Sequence, residues 1–159
     1  METKKIIVAT VVGTSVMTLF SYLISRNQKK NFTEPDVLSE IVAKNNSFLS
    51  KKEARHIGWG AHYGVGLGFT SVYSQIWEHT PIKPSLTSGA MLGAVSGLIG
   101  IMGWTQMFHL HHPTSIHYRK QYYAQLMVAH IVFGMGAAAG YKIMSNDKHK
   151  LSTKIKSLV

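Results

Sequence analysis

Four long blocks without a charged residue govern what this chain can fold into. Residues 6–25 carry no charge over 20 positions, 57–77 none over 21, 85–108 none over 24 and 121–141 none over 21. At about 1.5 Å rise per residue, a helix over each block crosses the roughly 30 Å of bilayer hydrocarbon. Backbone groups in lipid must be satisfied within the protein, which leaves helices or closed barrels, and these runs lack the alternation of barrel strands. The sequence predicts an all-α fold: a four-helix transmembrane bundle in one membrane domain over 1–159, with spans at about 6–25, 54–77, 85–108 and 119–143.

The first block is preceded by Lys4 and Lys5, as in a signal peptide. Its length, and the sequence Tyr22-Leu23-Ile24-Ser25-Arg26 without a small-x-small cleavage site, favour a retained span. The net charge of +10 would suggest nucleic acid in a water-soluble protein. Here it lies between apolar blocks, where it faces lipid headgroups, so the expected partner is the bilayer and not nucleic acid. Nine Lys/Arg fall in the first and third loops and eight in the termini and second loop, so charge asymmetry does not orient the chain. With no cysteine, thiolate metal sites and cysteine nucleophiles are excluded.

In the first loop, Thr33-Glu34-Pro35-Asp36 has the form of a helix start, with Thr33 as N-cap. Val37, Leu38, Ile41 and Val42 then recur at helical spacing. This predicts a short amphipathic interfacial helix over 34–44, lying on the membrane surface or packed over the end of the bundle. Ser50 and Glu53 have capping-box spacing at the start of the second span, Ser85 is placed to cap the third, and Ser115, beyond Pro113, the fourth. The basic tail 145–159 reads as solvated or bound to headgroups.

Ala61-His62 and the Gly66, Gly68 and Tyr73 that follow match Ala129-His130, Gly134, Gly136 and Tyr141 at a constant offset of 68. The second and fourth spans run in the same direction, so the bundle reads as two related helical hairpins. His62, Gly66 and Tyr73 share one helix face, as do His130, Gly134 and Tyr141, which puts both histidines at similar depth in the hydrocarbon. Gly60/Gly64/Gly68 and Gly89/Gly93/Gly97 have the spacing of close helix packing.

An intramembrane histidine is a functional hypothesis in its own right. His62 and His130 could ligate haem b axially, with Gly66 and Gly134 leaving room for the macrocycle. They could equally serve a proton relay or a polar pocket for a quinone or lipid headgroup, or be neutral histidines bonded to neighbouring helices. A second candidate is a metal site at His109, His111 and His112, near His117 and His56. Its H-x-H-H spacing resembles one histidine box of membrane desaturases and hydroxylases, which need several; a polar interfacial turn accounts for it as well. Neither paired carboxylates nor a Ser/His/Asp arrangement is visible, so hydrolysis has no apparatus here. Trp59, Trp77, Trp104, Tyr118, Tyr122 and Tyr123 lie near block ends and read as interfacial anchors.

From 56 to 143, the His62-x3-Gly66 helix ending in Tyr73, the Gly89/Gly93/Gly97 helix, the Pro113 turn, Tyr123 and Ala129-His130 resemble the YagU-like family of bacterial inner-membrane proteins. The resemblance implies an inner-membrane location and carries over no catalytic residue. The expectation is a small multi-pass membrane protein acting as a binding or assembly module rather than an enzyme, as a homo-oligomer or joined to other membrane proteins. A haem or metal redox protein is the alternative, and a small transporter or channel subunit the second.

Overall fold

The computed structural model describes residues 2–111 and 118–156, with side chains as far as Ser145. Five helices make up this part of the chain: α1 Glu2–Gln28, α2 Glu34–Asn45, α3 Lys51–His79, α4 Leu86–His111 and α5 Arg119–Lys156. No strand occurs among the described residues. Thr3–Gln28, Leu86–His111 and Arg119–Ser145 are long and apolar enough to cross a membrane, as befits a membrane protein. α3 is as long and is uncharged over 57–77, but His62, Tyr63, Gln75 and a run of glycines and serines make it the less apolar helix.

Helix starts follow the sequence closely. Ser50 Oγ accepts from Glu53 N at 3.3 Å while Glu53 Oε2 accepts from Ser50 N at 2.8 Å, the reciprocal capping box. Ser85 Oγ accepts from Ser88 N at 3.1 Å and starts α4. Thr33 makes no side-chain cap to α2, although Pro35 occupies the first turn as expected. The Pro113 turn and Ser115 lie outside the described residues. α5 continues to Lys156, so the stretch from Asn146 extends this helix beyond the span expected at about 119–143.

α5 is the centre of the packing, flanked by α1 on one side and α4 on the other. Both seams depend on missing side chains. A Cβ on Gly134 would run into the carbonyl oxygen of Gly89, and one on Gly89 into that of Gly134. On the other side a Cβ on Gly13 would lie 2.9 Å from Phe133 O, and one on Gly136 3.1 Å from Gly13 Cα. Such approach lets dispersion hold helices together where no water drives association. α3 packs on α1 and α2 and has no comparable seam with α4 or α5. A strict two-fold between hairpins would give α3–α4 the tightness of α1–α5; the α3–α4 side is open instead.

α1 meets α3 through hydroxyls. Thr10 Oγ1 and Thr70 Oγ1 are 2.6 Å apart, Ser15 Oγ and Tyr63 Oη 2.9 Å, and Thr18 Oγ1 and His62 Nε2 3.0 Å. α2 buries Glu34, Pro35, Val37 and Ile41, so its apolar face is covered by protein. Of the two places open to this helix, packing over the bundle end is the one observed. Two expected anchors are core residues: Trp77 packs on Tyr73 and Tyr141, and Tyr122 is fully buried among Phe32, Trp104 and Phe108. Position near a block end does not say which way a ring faces.

Candidate functional site: a cavity behind the open seam

Where α3 stands off α4, a cavity of about 280 Å³ remains, and all five helices contribute to its wall. Val65 on α3 and Ile99 on α4 line it while remaining 56% and 54% exposed, so its mouth lies between these helices. Met17, Phe69, Met107 and Phe133 give it an apolar interior. Gly103 is exposed at the cavity wall, and a Cβ there would meet no atom within 4 Å.

His62, Gly66 and His130 line this cavity, so the two histidines singled out by the repeat do come together around one space. Gly134 does not; its missing side chain serves the contact with Gly89. Gly66 faces Thr14, whose hydroxyl a Cβ would strike.

Hydrogen bonding fixes which nitrogen of each ring is engaged. His130 Nδ1 lies 2.9 Å from Leu126 O, and a carbonyl only accepts, so Nδ1 carries a proton. In the neutral ring Nε2 is then a bare acceptor, and it lies against Gly100, where a Cβ would come within 2.9 Å of it. Thr18 Oγ1 gives its hydrogen to Thr14 O at 2.8 Å, so His62 Nε2 donates to Thr18 and its Nδ1 is the bare acceptor. Neither acceptor has a partner among the described residues. Axial ligands to one iron present their nitrogens to a common centre. Here Nε2 of His62 is turned to α1 and that of His130 to α4, an arrangement suited to hydrogen bonding rather than to holding haem b.

Two polar groups that sequence reasoning passed over complete the wall. Thr14 Oγ1 is buried without a hydrogen-bond partner. Glu34, at the α2 end, is 1% exposed; Ser21 Oγ donates to its Oε1 at 2.9 Å, Gln125 Nε2 donates in turn to Ser21 Oγ at 2.8 Å, and Oε2 is unpartnered. Burial pushes the Glu34 carboxyl up to about 7, against the opposing pull of the backbone, Ser21 and Gln125 hydrogen bonds. The α1 stripe Thr10, Thr14, Thr18, Ser21 and Ser25 was the available signal, since spacing of three and four puts these hydroxyls on one face.

Of the second candidate, His109 and His111 are described. His109 is exposed, and Asn45 Nδ2 donates to His111 Nδ1 at 2.9 Å. His112 and His117 lie outside the described residues. No group of three metal-binding side chains occurs among the described ones.

At the opposite end of the bundle, Lys5 Nζ and Tyr141 Oη both donate to Glu78 Oε1, at 2.7 and 2.6 Å, and Tyr141 Oη lies 3.0 Å from Ser74 Oγ. This ties α1, α3 and α5 together.

No protein family, curated protein or solved structure matches the chain. The cavity must be read from its own chemistry.

Proposed function

We propose that this chain is a multi-pass membrane binding module, with α3 crossing beside the three apolar helices, that takes a small lipid-soluble molecule into the α3–α4 cavity from the bilayer. Membership of the YagU-like group and an inner-membrane location belong to the same reading. The observation that carries it is an apolar cavity whose mouth lies between helices rather than at a bundle end. A spanning bundle presents that face to lipid, so entry needs no passage through water. The site holds no nucleophile–base pair, which favours binding over catalysis.

The test uses 1-bromooctane, whose heavy atom quenches indole fluorescence at contact. In mild detergent, saturable quenching of Trp104 is expected, and Gly103→Leu, which adds a side chain at the cavity wall, should abolish the saturable part. Equal quenching of the parent protein and Gly103→Leu would refute the reading.

Self-association is a second reading, favoured by the outer face of α3. Cβ atoms on Gly60, Gly64 and Gly68 would meet nothing within 4 Å, so this stripe packs on none of the described residues. Such spacing suits close approach of a second helix. Crosslinking in native membranes should give a dimer that Gly64→Leu removes; monomer alone would end this reading.

A further inference from the structure

Resting on the reading of the cavity as a lipid-accessible site, we propose that its occupant is an uncharged, lipid-soluble molecule bearing a hydroxyl, and that the hydroxyl donates to the bare nitrogen of His62 or His130. Three features of the wall lead to this class.

The first is polarity of the vacant positions. The bare nitrogens of the two imidazoles only accept, so an occupant must bring a hydrogen to donate. Thr14 Oγ1 is unpartnered but closed off against Gly66, so no occupant reaches it. A hydroxyl meets the demand of the imidazoles by giving its hydrogen to one of their nitrogens. A ketone, an ether or a hydrocarbon brings no such hydrogen and leaves both nitrogens unpaired. Unpaired polar groups in a site are what allow it to reject an analogue that lacks the matching hydrogen bond.

The second is charge. No Lys or Arg lines the cavity. A carboxylate or phosphate head would enter without a counter-ion, beside the Glu34 carboxyl, and would lose its hydration against Met and Phe side chains. An ammonium would lose its own hydration on the same terms, with a Glu34 carboxyl only about half ionised at neutral pH to receive it. An uncharged hydroxyl has neither cost.

The third is size. At roughly 30 Å³ for each water-sized group, a cavity of about 280 Å³ accepts about nine such groups. An eight-carbon alcohol matches that count, and a longer chain can leave through the mouth between Val65 and Ile99 into lipid.

The experiment is competition against 1-bromooctane quenching of Trp104 in the full-length protein, with 1-octanol, octane and octanoate compared at equal mole fraction in the detergent phase. Octanol should relieve quenching at about tenfold lower mole fraction than octane, and octanoate should be no better than octane. His62→Phe and His130→Phe combined should reduce the advantage of octanol to threefold or less while leaving octane unchanged; if the double variant does not fold, each single variant should reduce it in part. Equal potency of octanol and octane would overturn the inference while leaving the cavity intact, and so would octanoate as the best competitor. Quenching that is not saturable, with no competition by any of the three, is the separate failure of the cavity itself.

Discussion

One methyl group added at two glycines should change stability with opposite sign. Gly103→Ala places a Cβ in open space at the cavity wall, where no atom lies within 4 Å. Gly134→Ala places the same atom on the backbone carbonyl of Gly89, and the α4–α5 seam must part to admit it. Both variants gain the same helix-propensity difference of up to about 1 kcal/mol, and the gain shrinks where unfolded segments stay helical in lipid or detergent. Gly103→Ala is therefore expected between neutral and about 1 kcal/mol more stable. Overpacking a closed contact costs about 1–3 kcal/mol, and a backbone neighbour cannot swing away as a side-chain end can, so Gly134→Ala belongs toward the upper part of that range. The propensity gain cancels between them, so the two variants should differ by about 2–3 kcal/mol, which is some thirty-fold or more in folding equilibrium. Reversible unfolding in mixed micelles, followed by tryptophan emission, measures both against the parent. Variants within 0.5 kcal/mol of each other would refute the seam and the cavity together.

Glu34 supplies a pH dependence. Its folded pKa of about 7 lies above the value of an exposed carboxyl, so ionisation opposes folding. The penalty is absent below about pH 4.5, grows as pH rises through 7 and then levels off, about 3 kcal/mol in all. Unfolding midpoints should fall between pH 5 and 8, and Glu34→Gln should flatten the profile; an unchanged slope would show that another group is responsible. Tyr141→Phe removes the hydrogen bond to Glu78 and should cost about 1.5–3 kcal/mol, read by the same unfolding assay. Ser50→Ala, which opens the capping box of α3, should cost about 1 kcal/mol on that scale, and no loss would mean the start of α3 is held by packing alone.

Much of this architecture is legible in the sequence because lipid simplifies the reading. Charge-free length marks spanning helices with little help from periodicity, and the capping box at Ser50 and Glu53 is a local device that tertiary contacts did not override. The convergence of His62 and His130 was legible too, through the offset of 68. Spacing cannot choose between faces that are both free of charge. Gly66 and Gly134 occupy equivalent repeat positions, yet one borders the cavity and the other closes a seam. The Gly60/Gly64/Gly68 stripe has the form of a packing motif and packs on none of the described residues. Glu34 escaped notice because an acid in the first turn of a helix is ordinarily solvated there. Its burial depends on Ser21 and Gln125, one from each of two distant helices, and no local pattern encodes that meeting.

The open seam also sets how stiffness is shared across the molecule. α1, α5 and α4 form a plate whose backbones touch through Gly13, Gly136, Gly89 and Gly134, and such contacts resist shear. α3 is bonded to α4 and α5 toward one end, where Tyr73 meets Ser96 and Tyr141 is bonded to Ser74 and Glu78. Toward His62 it is held instead by hydroxyl contacts to α1 and by the close approach of Gly58 to Ser39 on α2. The edge that faces α4 carries neither kind of tie there, so resistance to separation is least at the rim of the cavity and greatest at the Glu78 end.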